Sequence, residues 1–386
     1  MPCRIVKRYR LIKLINFMYN IVGRYMRILI YSDNHFCTSS SIINGVGEKY
    51  SVRLENQIDS LNWVEELGKK EKCDIEICLG DFFDKETLTS QELSALKEIK
   101  WDMNDIERFF IVGNHEMGSQ DLTYNSTNAL SEYGYICNRP MLIPNSNCNI
   151  VLIPYVLESN RKPLREYINE AFDKDGGDNL NRNLPVIILT HNDIKGIQYG
   201  GFESKVGFSL EEINDNCIML LDGHLHNETS FDIPHHQENT KVYLVGNLTG
   251  QNFSEDAFNH GHYAYILDTD SWQLGLQRFE NPYAFKFYKL DIDESNIEQL
   301  KDFELNSVVS IKTKQSIVDR VRETVYNNKN IIKSRIMIIP EITEGINNQE
   351  IISKDHITQY KEFTYPKLRE ELSVSDEIIK EELRRL

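Results

Sequence analysis

The chain has 386 residues, 40% of them hydrophobic and 26% charged, with a formal net charge of −16. That is an ordinary globular composition, with room for one large domain or two smaller ones. No apolar run approaches the roughly 18 residues a bilayer span needs, and the acidic balance excludes non-specific nucleic-acid binding by bulk charge. The seven cysteines (Cys3, Cys37, Cys73, Cys78, Cys137, Cys148, Cys217) are odd in number and form no Cys-x-x-Cys pair. They argue for a reducing compartment and against a zinc ribbon.

Residues 1–25 hold Arg4, Lys7, Arg8, Arg10, Lys13 and Arg24 and no acid. A basic amphipathic segment of this kind suits targeting or a membrane surface. The expectation adopted is a dispensable tail or an upstream start, because Met26 directly precedes the strand-like run Arg27-Ile-Leu-Ile-Tyr31.

From Met26 the pattern alternates between strand and helix. Leu54, Ile58, Leu61 and Leu67 recur at helical spacing, and Thr89 with Glu92 forms a capping-box pattern. Apolar runs at 77–79, 108–112, 150–153, 186–189, 218–221 and 242–245 predict buried strands, which is α/β logic with functional residues at the carboxyl ends of strands. Five apolar runs end in polar blocks: Asp33-Asn34-His35, Gly80-Asp81-Phe-Phe-Asp84, Gly113-Asn114-His115-Glu116, Thr190-His191 and Gly223-His224-Leu225-His226. Alone, His191 suits a structural histidine and Asn114 a turn; their weight comes from order and company. Oxygen and imidazole donors suit a pair of divalent ions, with Mn, Fe or Zn favoured over Mg because imidazole is a poor magnesium ligand.

Between His191 and His224, Gly196, Gly200, Gly201 and Gly207 alternate with Lys195, Lys205, Tyr199, Phe202 and Phe208, which reads equally as a substrate-facing lip or a surface loop. After Asn281-Pro282 the character changes. Strands at 284–292, 308–311 and 335–339 and a helix capped by Ser316, with Ile317, Val321 and Val325 on one face, predict a small second α/β unit without site residues. Beyond Glu341, Leu368, Leu372, Ile378, Ile379, Leu383 and Leu386 suggest helices that face a partner. The remaining histidines, His235, His236, His260, His262 and His356, fall in no block and read as structural or solvated.

The five blocks, in this order, resemble the calcineurin-like metallophosphoesterase superfamily. The resemblance implies an α/β sandwich of two mixed sheets flanked by helices, then a small α/β capping domain and C-terminal helices. It implies that Asp33, His35 and His226 hold one metal, that Asn114, His191 and His224 hold the other, and that Asp81 bridges. His115 would act as general acid at the leaving group, hydrogen-bonded by Asp84. Two divalent ions, Mn2+ first among them, would be the cofactors. Protein Ser/Thr phosphatases are disfavoured, since Val112 and Lys85-Glu86 occupy the places of their phosphate-gripping arginines.

Gly-Asp-Phe-Phe-Asp, Val-Gly-Asn-His-Glu, Ile-Pro-Tyr at 153–155 and Val-Tyr-Leu-Val-Gly-Asn at 242–247 are similar to the nuclease subunit of DNA double-strand-break-repair complexes, as in bacterial SbcD and phage recombination endonucleases. Glu116 for Asp and Asn247 for Ser depart from that pattern, as does Phe36-Cys37 for Leu-Gly, without removing a ligand. The implied organisation is an extension at 1–25, a catalytic domain at 26–280, a capping domain at 281–345 and a partner-binding segment at 346–386. The implied function is a two-metal DNA nuclease, homodimeric, bound to an SbcC-type coiled-coil ATPase, in bacterial or phage-infected cytoplasm with no membrane contact. The alternatives are a small-substrate phosphodiesterase or phosphomonoesterase, and a scaffold that keeps the fold without catalysis.

Overall fold

The computed structural model describes residues 25–340, apart from 44, 103–104, 177–180, 200–201, 235–238 and 272–274 and the side chains of 199 and 202. The expectations for residues 1–24, for the segment 346–386, and for His235, His236 and His356 lie outside the described residues.

Strand β1 (Arg27–Tyr31) leads to helix α1 (Val52–Lys70), then β2 (Ile75–Cys78), the short α2 (Ser90–Ala95), β3 (Glu107–Ile111), β4 (Tyr135–Cys137), β5 (Met141–Pro144), β6 (Asn149–Ile153), α3 (Leu164–Asp175) and β7 (Val186–Thr190). The lip region forms two small ribbons from β8 (Ile194–Lys195), β9 (Gln198–Tyr199), β10 (Phe202–Glu203) and β11 (Phe208–Ser209), with β8 paired to β11 and β9 to β10. After α4 (Leu210–Asn216) come β12 (Met219–Asp222), β13 (Thr229–Ile233), β14 (Thr240–Leu244), β15 (Tyr263–Asp268) and β16 (Gln277–Glu280). The small unit holds β17 (Lys286–Ile292), β18 (Ser307–Lys314), α5 (Val318–Asn327) and β19 (Ile331–Ile339).

Two six-stranded mixed sheets result, in the orders β16-β15-β1-β2-β3-β4 and β13-β14-β12-β7-β6-β5, with a three-stranded sheet β17-β18-β19 beyond them. Strands β1 to β4 run parallel, as do β6, β7, β12 and β14, and antiparallel pairs lie at every edge of these two sheets except that of β4. Because strand side chains alternate between faces, Ile28, Ile30, Ile75 and Ile77 meet Ile150, Leu152, Ile187, Leu189, Met219 and Leu221 in the layer between the sheets. On the outer faces, Leu29 and Tyr31 pack on Leu54, Ile58, Leu61 and Val64 of α1, while Ile188 and Leu220 pack on Ile168 and Phe172 of α3. This is the expected sandwich of two mixed sheets between helices, followed by a small α/β unit.

Helix α1 starts where Ser51 accepts a hydrogen bond from Leu54 N at 3.2 Å. It also carries a buried polar stripe: Arg53, Asn56 and Ser60 turn toward the loops after β14 and β16, while Gln57 Nε2 donates to Asn34 O and His35 O, both at 2.7 Å, in the loop after β1. The Thr89–Glu92 capping box forms as its pattern predicts. Ser316 does not cap: it lies within a 3-10 turn, and α5 begins after Ile317 with no side-chain cap. The predicted strand 335–339 begins four residues earlier, at Ile331.

Strand β3 carries Arg108, 1% exposed, among Glu65 of α1 and Glu76 of β2; its Nε donates to Glu65 Oε1 at 2.9 Å and to Glu76 Oε2 at 3.0 Å. One cation faces two buried carboxylates, so one of them keeps a proton. Burial and the neighbouring Glu76 push Glu65 up to about 8, while Tyr31 OH donates to Glu76 at 3.1 Å. Among the described residues, the six cysteines are free and buried, and no helix is long and apolar enough to cross a membrane.

Candidate metal centre

The site gathers the residues that follow the carboxyl ends of β1, β2 and β3 in one sheet and of β7 and β12 in the other. The chain must turn sharply there. Asp33, His35, Asp81 and His224 all adopt left-handed backbone, with φ of 51°, 47°, 47° and 68°. For non-glycine residues that costs about 1–3 kcal/mol each and persists only when the surroundings over-determine it. Here Asp33 N donates to Gly80 O at 3.1 Å, His35 N to Asp81 O at 2.9 Å and His224 N to Asp33 Oδ2 at 3.0 Å. Glu116 ties the Asp81 loop to the Asn114 loop, accepting from Phe83 N at 3.0 Å and from Gly113 N at 2.8 Å. Burial, reinforced by Asp81, pushes the Glu116 carboxyl up to about 7.

Every imidazole of the cluster has one nitrogen occupied from outside. His35 Nδ1 donates to Asp84 Oδ1 at 3.2 Å, His191 Nδ1 to Leu79 O at 3.0 Å and His226 Nδ1 to Glu255 Oε1 at 3.2 Å. His224 places Nε2 3.4 Å from Asp193 Oδ1. The opposite nitrogens therefore point inward. His35 Nε2 and His226 Nε2 are 3.2 Å apart, and Asp33 Oδ1 lies 3.8 and 3.9 Å from them. Asn114 Oδ1 sits 3.0 Å from both His191 Nε2 and His224 Nδ1. Asp81 joins the halves: its Oδ1 accepts from His115 N at 3.0 Å, while Oδ2 lies 3.1 Å from His191 Nε2 and 3.9 Å from His35 Nε2.

Asp33 Oδ1 is fully buried without a hydrogen-bond partner, although Oδ2 of the same carboxylate is bonded to Ser32 Oγ and His224 N. A buried anionic oxygen left unpaired is costly. Inward donor atoms that converge at 3.0–3.2 Å, with the outward nitrogens facing acceptors, suit a cation shared between them, whether a proton or a metal ion. Asp33, His35 and His226 form one cluster able to hold a metal, and Asp81, His191 and His224 another; Asn114 adds a carbonyl oxygen to the second. Nitrogen and carboxylate donors of this kind suit Mn, Fe or Zn.

Protons occupy the cluster in the absence of metal. Burial opposes charge on His35, but Asp33, Asp84 and Asp81 outweigh it and the imidazole is pushed up to about 10. Burial likewise opposes charge on His191, and Asp81 and Asp33 bring that ring up to about 10. Burial alone would raise Asp81; His191 and His35 instead hold it well below the usual carboxylate range. Metal must displace these protons. Affinity for Mn2+ is thus expected to rise with pH up to about 10, with proton release that calorimetry in buffers of different ionisation enthalpy would detect. Uptake without proton release would contradict the assignment.

His115 is the exposed ring of the group, 42% accessible at the side chain, with Nε2 4.0 Å from Asp81 Oδ2. Asp84 hydrogen-bonds His115, but through its backbone carbonyl and not its carboxylate. Asp84 Oδ1 takes His35, and the Asp84 backbone carbonyl takes His115 Nδ1 at 2.9 Å. The reason is the turn after Asp81, which brings His35 Nδ1 0.8 Å closer to that oxygen than the 4.0 Å separating it from His115 Nδ1. His115 Nε2 remains available on the site side. In the lip region, Phe208 is buried beneath the Arg161 guanidinium, while Lys195 and Lys205 are exposed. His262 is buried with its Nδ1 donating to Asn247 Oδ1 at 2.8 Å, and His260 donates to Glu228 O; both are structural. Sequence reasoning missed Asp193 and Glu255, which lie in no block.

Gly113 permits the close approach of the loops, because a Cβ there would meet Asp81 Oδ1 at 2.2 Å and Asp81 N at 2.5 Å. Gly113→Ala is expected to displace the shared carboxylate and lower Mn2+ affinity at both clusters by on the order of 10–100-fold, measured by metal titration; unchanged affinity would show that the approach is not needed.

Donor set, shared carboxylate and exposed histidine together define a dimetal phosphoesterase centre. Residues 26–228, more than half of the chain, match the family described as calcineurin-like phosphoesterase, and the chain belongs to that family. No curated protein sequence matches it. Similar solved structures include protein TT1561 of Thermus thermophilus, at 10% identity and a TM-score of 0.40 over 67% of this chain and 99% of that one. A dimetal phosphatase from Danio rerio is 12% identical, with a TM-score of 0.37 over 62% of this chain and 92% of its own. A purple acid phosphatase from yellow lupin seeds is 12% identical, with a TM-score of 0.41 over 64% of this chain and 49% of that one.

Proposed function

We propose that the chain hydrolyses phosphate esters, phosphodiesters foremost, with two divalent ions held by Asp33, His35, Asp81, Asn114, His191, His224 and His226. The observation that carries this reading is the Asp81 carboxylate, which places Oδ2 between a nitrogen of each half-site, 3.9 Å from His35 and 3.1 Å from His191. Bound ions would supply Lewis-acid activation of water and charge neutralisation at phosphorus. The chain's own residues supply orientation and a proton. Asp84 holds His35, Glu116 holds the two loops in register, and His115, its Nδ1 on the Asp84 carbonyl, directs Nε2 to the leaving oxygen as proton donor.

Small phosphodiesters and phosphomonoesters need no more than this centre. A finer proposal makes a DNA strand the substrate and the chain a nuclease subunit of the SbcCD type, with Mn2+ as metal. The sequence blocks support it, as does the α/β unit directly after the catalytic sheets. So do Lys289, Lys312 and Lys314, exposed on the face of β17 and β18 opposite the Leu290–Ile311 core. The test is hydrolysis of bis(p-nitrophenyl) phosphate, p-nitrophenyl phosphate and linear duplex DNA with Mn2+, with EDTA as control. DNA degradation supports the nuclease; cleavage of the small esters alone assigns the small-substrate reading; no hydrolysis of any of them sinks both.

The proposed partners are a second copy of the chain and an SbcC-type ATPase, contacted through the segment 346–386. Removal of residues 360–386 is expected to abolish co-purification with the ATPase while leaving small-ester hydrolysis intact. Retained association would remove that segment from the interface.

A further inference from the structure

We propose that Glu255 is a positioning residue for His226, setting the tautomer and direction of that ring toward the metal cluster; the proposal rests on the two-metal reading above. Glu255 belongs to none of the sequence blocks and lies in the loop between β14 and β15. Its side chain is 3% exposed, which is unusual for a carboxylate that has no ion pair with a lysine or arginine among the described residues. Instead, three donors converge on it. His226 Nδ1 donates to Oε1 at 3.2 Å, Asn247 Nδ2 donates to Oε1 at 2.9 Å, and Gln251 N donates to both oxygens at 2.9 and 3.0 Å.

The donor pattern is self-consistent. Asn247 Oδ1 accepts from His262 Nδ1 at 2.8 Å, which leaves its amide nitrogen toward Glu255. Gln251 is anchored through Oε1 by Arg53 and through Nε2 to Thr249 O at 2.9 Å. The loop itself is tied to neighbouring backbone, with Gly250 N donating to Phe285 O at 3.0 Å and Phe285 N to Thr249 Oγ1 at 3.0 Å. Oε1 takes all three donors and Oε2 shares Gln251 N, so the carboxylate accepts at both atoms and brings a negative charge that strengthens the bond from His226 Nδ1–H. With Nδ1–H committed to Glu255, His226 turns Nε2 inward, 3.2 Å from His35 Nε2 and 3.9 Å from Asp33 Oδ1.

The isosteric substitution Glu255→Gln keeps the volume and can leave a carbonyl oxygen at the Oε1 position, but it removes the negative charge facing His226 Nδ1–H and sets an NH2 group 3.0 Å from Gln251 N. The experiment is titration of the metal-free full-length chain with Mn2+ alone, read by calorimetry and by the electron paramagnetic resonance of the bound ions. One of the two ions is expected to bind about 10–100-fold more weakly while the other keeps its affinity. Asn247→Ala, which removes one tether and leaves the carboxylate, is expected to weaken the same ion by a smaller factor. Wild-type affinity for both ions in both variants would overturn the proposal, and so would equal weakening of the two ions, which is what a general loss of structure produces. Since no substrate is present, a wild-type chain that binds two ions without hydrolysing any ester would fail the phosphoesterase reading and leave this one intact.

Discussion

Asp81→Asn is expected to lower Mn2+-dependent hydrolysis of a phosphodiester by on the order of 10^3-fold or more, equivalent to about 4 kcal/mol of transition-state stabilisation. Asparagine keeps the shape and can still accept from His115 N through its carbonyl oxygen. It places an NH2 group or a neutral oxygen where Oδ2 now lies, 3.1 Å from His191 Nε2 and 3.9 Å from His35 Nε2. Both half-sites share that oxygen, so both lose an anionic donor in one substitution, and metal occupancy should fall together with turnover. The fold should persist, because the backbone bonds at Asp33 N and His35 N do not use the carboxylate. The measurements are initial rate, metal content and thermal melting. A variant that keeps more than about a tenth of wild-type turnover, a loss under ~1.4 kcal/mol, would remove Asp81 from the centre of the chemistry.

The largest stability effect is expected away from the site. Arg108→Ala leaves Glu65 and Glu76 buried side by side, 2% exposed at each side chain, without their shared cation. Removing one partner of a buried ionic cluster costs about 3–5 kcal/mol, and denaturant unfolding would read it directly. The loss should also depend on pH. The folded Glu65 carboxyl is already raised to about 8, above its unfolded value. Such a group contributes stability that is present below the unfolded value and is lost as pH rises through the folded value. Without Arg108 the folded value moves further up, so the variant should be weakened more at pH 8 than at pH 5. A loss that is equal at both pH values would mean that the carboxylates leave the interior when the arginine is removed. Arg108→Met, which fills the space with apolar atoms, should not rescue stability while both acids remain.

The parallel strands, the short half-buried β4 apart, were legible because strands buried on both faces read as continuous apolar runs. Ile77–Leu79, Val186–Leu189 and Ile218–Leu221 announce themselves, and each ends in a polar block. The antiparallel edge strands were not. Thr229–Ile233 and Gln277–Glu280 expose most of their side chains, so their composition is that of a loop. Arg108 inside β3 looks like a surface residue until Glu65 and Glu76 are brought beside it from a helix and a neighbouring strand.

For the site, the division follows sequence distance. Donors that must leave the end of a strand within a few residues are encoded locally, so Asp33, His35, Asp81, Asn114, His191, His224 and His226 could be named from order and spacing alone. The groups that hold those donors are chosen by proximity across the fold. The Asp84 carboxylate reaches His35 across 49 residues, leaving its backbone carbonyl to His115 across 31, and Glu255 reaches His226 from the loop after a different strand. The sequence by itself determined which residues gather at the carboxyl edges, because local turns and apolar runs specify that. The tertiary structure alone decided which nitrogen each histidine turns inward, because that depends on an acceptor supplied by a distant part of the chain.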